Sequence, residues 1–238
     1  MCGRYSIKTP PEDLFRLFAV TDMLNLEPRY NMAPMQTAPV IRDRDGKRHM
    51  DRLRWGLVPG WAPDESRAAS LINGRSETAA EKPSFRDAYA KRRCLVPADG
   101  FYEWRKVAGG KQPYRVSLEG ERPFAFAGLW EHWDKGAEPV ETFTLLTVDA
   151  DPRIEHIHHR MPVMLSEPEE FACWLEGDTG DRAALLRPYG KEDLVFTPVS
   201  TRVGNVRNDD PALMEPVVEG EEGSADAPGP SPRQGSLF

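Results

Sequence analysis

Between Thr37 and Ser166 the chain is cut into short extended segments, and this punctuation restricts its architecture more than any other feature. TAPVIRD, KRHMDRLRWGLVP, KRRCLVPADGFYEWRKV, PYRVSLEG, PFAFAGLWEHW, ETFTLLTVDA and RMPVMLS are rich in β-branched and aromatic residues and are separated by Gly, Pro and Asp. Such runs suit strands joined by tight turns. Only three stretches read as helix. PPEDLFRLFAV opens with Pro and acids and lines up Leu14, Phe15, Leu17 and Phe18. SETAAEKPSFRDAYAKR follows, and PEEFACWLEG begins after Ser166 with Pro168 and two acids in its first turn. Strands in succession, not alternating with helices, predict an α+β fold with a mainly antiparallel sheet or barrel.

A chain of 238 residues suits one large domain or two small ones and is long enough to bury its own core. It has no apolar run near the ~20 residues of a membrane span and no apolar leader, so the expected compartment is the cytoplasm. Three cysteines, Cys2, Cys94 and Cys173, are too few and scattered for a disulfide framework or a CxxC zinc site; Cys94 and Cys173 read as small buried hydrophobes. The net charge of −7 argues at first against a nucleic-acid partner, but from Glu215 onward five acids face one base, Arg233. The body is thus nearly balanced, and a local basic groove fits on it. From about Gly220 the composition turns to Glu, Gly, Ser, Ala and Pro, which bury too little apolar surface to offset ordering entropy. The expected division is a folded domain over 1–218 and a disordered acidic, Pro-rich tail over 219–238.

The chain opens MCGRYS. If Met1 is removed, Cys2 carries an amine titrating near ~8 and a thiol near ~8.5 on one residue, each with a usable reactive fraction at neutral pH. This 1,2-aminothiol suits an aldehyde: the amine forms an imine, and the thiol closes it to a thiazolidine. Three further stretches place polar groups where a purely structural sequence seldom wants them. LINGRSET sets Asn73 and Arg75 after an apolar pair, PADGFYEW sets Glu103 between aromatics, and EHIHHRMPV sets His158 and Arg160 at a strand entrance. Each also has a plain reading: Asn73 as a turn or cap residue, Glu103 as the outward residue of an alternating strand, and the histidines as solvated loop residues. His156, His158 and His159 lack the neighbouring acid or CxxC that would complete a zinc ligand set, and no metal site is expected.

MCGRYS, RYNMAP, WGLVPGW, INGRSET, ADGFYEW, HHRMPV and VGNVRN, in this order, resemble the SRAP (SOS response-associated peptidase) family over about residues 1 to 218. The resemblance implies a single α+β domain around a β-barrel-like core. It also implies capture of abasic sites in single-stranded DNA through a covalent thiazolidine at Cys2, placing the protein with the nucleoid. Carried over by motif, Cys2 is the nucleophile, Asn73 and Glu103 flank it, and His158 completes the catalytic set. Arg4, Arg75 and Arg160 then grip phosphates, with guanidinium forks matching phosphate oxygens. Trp61 and Trp104 resemble family aromatics beside DNA, and Pro34, Thr147 and the VGNVRN turn line or support the site. No cofactor is required. Two alternatives remain open: a thiol autopeptidase, as the family name records, and a non-covalent single-stranded DNA binding module. Strand cleavage by β-elimination from the imine uses the same residues.

The final QGSLF resembles the Gln-x-x-Leu-Phe pentapeptide by which bacterial replication and repair proteins dock on the sliding clamp. Gln234 would be the polar anchor and Leu237 with Phe238 the apolar plug, although Gly235 stands where a hydrophobic residue is usual. A monomer is expected.

Overall fold

The computed structural model describes residues 2–22 and 24–219. Met1 and most of the tail assignment, including Gln234, Leu237 and Phe238, lie outside the described residues. In chain order the elements are β1 (Tyr5–Ile7), α1 (Pro11–Phe18), β2 (Arg29–Met32), β3 (Thr37–Arg44), β4 (Lys47–Trp55), β5 (Asn73–Arg75), α2 (Ser76–Ala79), α3 (Arg86–Lys91), β6 (Arg93–Ala98) and β7 (Gly100–Val107). They continue with β8 (Gly110–Leu118), β9 (Phe124–Trp133), β10 (Val140–Asp149), β11 (Arg160–Pro162), β12 (Met164–Leu165), α4 (Pro168–Glu176), α5 (Thr179–Leu185) and β13 (Leu194–Pro198). No helix among the described residues is long and apolar enough to cross a membrane.

The fold is α+β and barrel-like. β3 pairs with β4 and β6, β6 with β9, β9 with β10, and β10 in parallel with β4, which closes a ring of strands. Closure leaves these five strands paired on both sides, which removes the edges that would otherwise template aggregation. The ring's interior is filled by residues without solvent exposure, among them Val40, Leu53, Trp55, Phe126 and Phe143, which share one face of its strands. The second sheet runs β13-β8-β7-β1-β2 and lies against the ring through Tyr5, whose ring meets Trp55 and Phe126 edge-on with centroids 5.3 and 5.6 Å apart. Edge-to-face pairing is the favourable arrangement for ring quadrupoles.

Two expected elements divide where backbone chemistry demands it. SETAAEKPSFRDAYAKR forms α2 and α3 in place of one helix, because Pro83 has no N–H to give and clashes with the preceding turn. KRRCLVPADGFYEWRKV forms β6 in the ring and β7 in the second sheet. The switch falls at Asp99, whose fully buried carboxylate accepts from the Ser6 hydroxyl at 2.6 Å and the Lys8 N–H at 2.5 Å, and meets Arg115 at 3.4 Å. That network holds the amino-terminal strand between β7 and β2 in the second sheet. Glu219, assigned to the tail by composition, pairs with Arg105 and accepts from the Tyr114 hydroxyl.

Candidate active site

Cys2 enters the fold immediately before β1, which lies between β2 and β7. The Arg4 carbonyl accepts from the Tyr102 N–H at 3.0 Å and, at 3.7 Å, from the Cys2 thiol. In the full chain, Met1 included, Cys2 has no exposed surface. Burial pushes its thiol far above the ordinary range, and the carboxylate of Glu103 acts in the same direction. The sulfur is therefore a neutral thiol at neutral pH, the opposite of a thiolate activated by a cationic partner.

Asn73 reaches this residue from the ring. β5 joins β10 in parallel, with Asn73 opposite Leu145, and the Asn73 Nδ2 donates to the Cys2 carbonyl at 2.7 Å. Its Oδ1 is buried and has no hydrogen-bond partner among the described residues, so an acceptor remains beside Cys2. Glu103 comes from the second sheet, in β7 opposite Tyr114 of β8. It is 3% exposed, and burial raises its carboxyl above the usual carboxylate range, with His159 pulling the other way. The shift moves the carboxyl toward the range in which a group can both donate and accept a proton.

His158 precedes β11 and is half-buried. Its Nδ1 lies 3.0 Å from both the backbone N–H and the carbonyl oxygen of Arg160. A neutral ring accepts from that N–H and carries its proton on Nε2, whereas an imidazolium donates to the carbonyl. One short turn thus satisfies both protonation states. Burial lowers the His158 pKa below the ordinary imidazole value, and the Arg160 charge adds to this. His159 stacks on His158 with ring centroids 4.4 Å apart but is exposed. Among the described residues no group of three His, Cys, Asp or Glu side chains could hold a metal ion.

The remaining sequence candidates surround this centre unevenly. Arg4 is half-buried, donating to the Gly3 carbonyl at 2.8 Å and to the Gly204 carbonyl at 3.5 Å, which ties the amino terminus to the VGNVRN turn. Arg75 is exposed on β5. Arg160 is 5% exposed, and its guanidinium is enclosed by Glu77, Asp149 and Thr147. A phosphate reaching it would have to displace a carboxylate. Thr147 is fully buried at the register of Arg75 and Pro162. Trp61 is 50% exposed, with its Nε1 donating to the Pro83 carbonyl at 3.1 Å, beside a small cleft of about 100 Å³ walled by Leu57, Ala62 and Leu71. Trp104 packs partly buried against Tyr102, Val199, Val203 and Leu213. Pro34 is half-buried in the turn between β2 and β3.

Sequence reasoning passed over Asn31 and Glu77. Asn31 is fully buried, and its Nδ2 lies 2.8 to 3.2 Å from the carbonyls of Val203, Asn205 and Asn208, fastening the VGNVRN turn to β2. An Asn between Tyr30 and Met32 in a strand was the available signal, since a strand position flanked by apolar residues rarely keeps an amide unless it has partners.

A family model described as SOS response associated peptidase (SRAP) matches residues 1–206. The abasic site processing protein YoqW of Bacillus subtilis is 38% identical over 223 residues, covering 90% of this chain and 99% of that protein. The abasic site processing protein HMCES of Gallus gallus is 36% identical over 267 residues, covering 92% of this chain and 79% of that protein. A crystal structure of a Bacteroides thetaiotaomicron protein superposes with a TM-score of 0.81 at 26% identity, covering 91% of this chain and 100% of that one. A Bordetella bronchiseptica protein superposes with a TM-score of 0.72 at 29% identity, covering 84% and 100%. On the span of the family model, and on relatives matched along nearly their whole length, the chain belongs to the SRAP family.

Proposed function

We propose that this protein processes abasic sites in single-stranded DNA by capturing their aldehyde covalently at Cys2 once Met1 has been removed. The amine of Cys2 adds to C1′ of the ring-opened deoxyribose and gives a carbinolamine. Loss of water leaves an imine, and the thiol adds across the C=N bond: sulfur bonds to C1′, its proton passes to nitrogen, and a thiazolidine closes. One water is released overall, and no oxidant, metal or organic cofactor enters. His158 is suited to proton transfer at the sugar ring oxygen, Glu103 to protonating the departing hydroxyl, and Asn73 Oδ1 to accepting from the amine. Arg4 and Arg75 are suited to phosphates, with Arg160 reaching them only by exchanging a carboxylate, and Trp61 and Trp104 to stacked bases. Pro34 and Thr147 support the walls of the site. β-Elimination from the imine competes with ring closure, and the terminal QGSLF is proposed to dock on the sliding clamp.

The observation that carries this reading is the setting of Cys2: Asn73 Nδ2 holds its carbonyl at 2.7 Å while Asn73 Oδ1 is left unpartnered among the described residues, and the buried Glu103 carboxyl bears on its thiol. Dehydration of the carbinolamine to an iminium consumes a proton and addition of the thiol to it delivers one; burial keeps the Cys2 sulfur in its thiol form and shifts Glu103 toward protonation. Peptide cleavage by a Cys–His pair needs thiolate and imidazolium, and burial disfavours both here.

The test incubates the protein with a single-stranded oligonucleotide bearing one abasic site and resolves denaturation-resistant adducts. Wild type forms the adduct and Cys2→Ala does not. Cys2→Ser keeps the amine and shifts the product from stable adduct to cleaved strand, and blocking Met1 removal abolishes both outcomes. An adduct formed equally by Cys2→Ala would refute the chemistry.

A further inference from the structure

Asn73 and His158 approach the site from opposite edges of one strand. β5, carrying Asn73, pairs in parallel with one edge of β10, and β11, which follows His158, pairs antiparallel with the other. These pairings meet at Thr147, which lies opposite Arg75 on one side and Pro162 on the other. Backbone ladders fix each edge strand to β10. They do not by themselves fix the loop before β11 relative to the turn after β5.

One ion pair crosses that gap. Glu77, in α2 directly after β5, receives two hydrogen bonds from Arg160, from Nη1 to Oε1 at 2.7 Å and from Nη2 to Oε2 at 3.0 Å. The same guanidinium donates to the Thr147 carbonyl at 2.6 Å and to Asp149 at 2.6 Å, so it is anchored on β10 while it holds Glu77. The backbone of Arg160 meanwhile holds His158 Nδ1 at 3.0 Å. A bidentate fork specifies direction as well as distance, which a single point charge does not. The Arg160 side chain is 6% exposed and that of Glu77 47%, so the pair is screened on one side only.

We propose that Glu77 is a positioning residue: through Arg160 it ties the Asn73 strand to the His158 turn across β10 and keeps the two at one spacing around the substrate sugar. This rests on the abasic-site reading above. Glu77 touches neither Cys2 nor, by this proposal, the DNA. Its removal slows the covalent step and leaves DNA affinity alone.

The test compares wild type with Glu77→Gln and Glu77→Asp. Capture rates are measured at saturating abasic oligonucleotide, and affinity is measured separately with a tetrahydrofuran analogue that has no aldehyde. Glu77→Gln is expected to capture at least about tenfold more slowly, with affinity for the analogue within twofold of wild type, and Glu77→Asp to recover part of the rate. A rate within twofold of wild type overturns the proposal. Tighter analogue binding at an unchanged rate also overturns it and assigns Glu77 to guarding Arg160 from phosphate. Should Glu77→Gln not fold, Glu77→Asp decides by the same pair of measurements. The ¹⁵N resonances of the His158 imidazole, with His49 as internal reference, give a readout independent of turnover. If wild type itself forms no adduct, the abasic-site reading fails, and this signal still judges Glu77: shifted in the variant it supports the tie, unshifted it overturns it.

Discussion

Replacing Asn73 by Ala removes one hydrogen bond whose geometry is known, from Nδ2 to the Cys2 carbonyl at 2.7 Å. The acceptor belongs to a residue without solvent exposure, so no bulk water replaces the lost donor. Leaving a buried acceptor unpaired costs about 1–3 kcal/mol. If that bond holds Cys2 in its reactive position through the addition step, capture slows about 5- to 150-fold, at 1.36 kcal/mol per factor of ten. Asn73→Asp is the sharper probe. It keeps the shape but turns a carboxylate oxygen toward the carbonyl oxygen, so it should be slower than Asn73→Ala. The assay is single-turnover capture of an abasic oligonucleotide at saturating protein, quenched in denaturant and resolved on a gel, with thermal unfolding recorded for each variant. An Asn73→Ala rate within twofold of wild type, or an Asp variant as fast as wild type, refutes the assignment of Asn73 as the group that holds Cys2.

Glu103→Gln should raise stability relative to wild type as pH climbs. A carboxyl whose folded pKa lies above its unfolded value supports the fold fully below about 4.5 and loses that contribution as pH rises through the raised pKa. The melting-temperature difference between variant and wild type should therefore grow in favour of Gln from pH 4 to pH 8, and a difference that is flat or reversed contradicts the raised pKa. Trp61→Ala should weaken binding of undamaged single-stranded DNA, read by fluorescence anisotropy, by the ~1–3 kcal/mol of one stacked base. Because Trp61 is half exposed and gives up one hydrogen bond, to Pro83, its loss should cost no more than about 1.5 kcal/mol of stability.

The long strands were legible because their alternation and bounding turns are local: β9 and β10 occupy the segments that their composition marks. α4 was legible for a similar reason, with Pro168 and two acids marking its start. The three-residue strands β1 and β5 carry no readable period, since their place is fixed by partners far along the chain. The change of sheet at Asp99 was hidden as well, because the Arg115 and Ser6 that favour it belong to other segments. Within the candidate site, Cys2 and Asn73 were named from their own motifs, and the fold joins them by a hydrogen bond. Glu77 was passed over although it stands in the same motif as Asn73, because its meaning depends on Arg160, and only the pairing of β5 and β11 with one strand brings them together.

The placement of β1 between β7 and β2 has a consequence for timing. β1 is synthesised well before β7, against which it pairs. At ~5–20 residues per second, on the order of ten seconds pass between emergence of Cys2 and that of His158. During that interval the amino terminus is open to the peptidase that would remove Met1, whereas in the folded chain Cys2 has no exposed surface. Under the proposed chemistry, maturation belongs to the nascent chain: the order of synthesis lets the amine of Cys2 be freed before β1 is paired with β7.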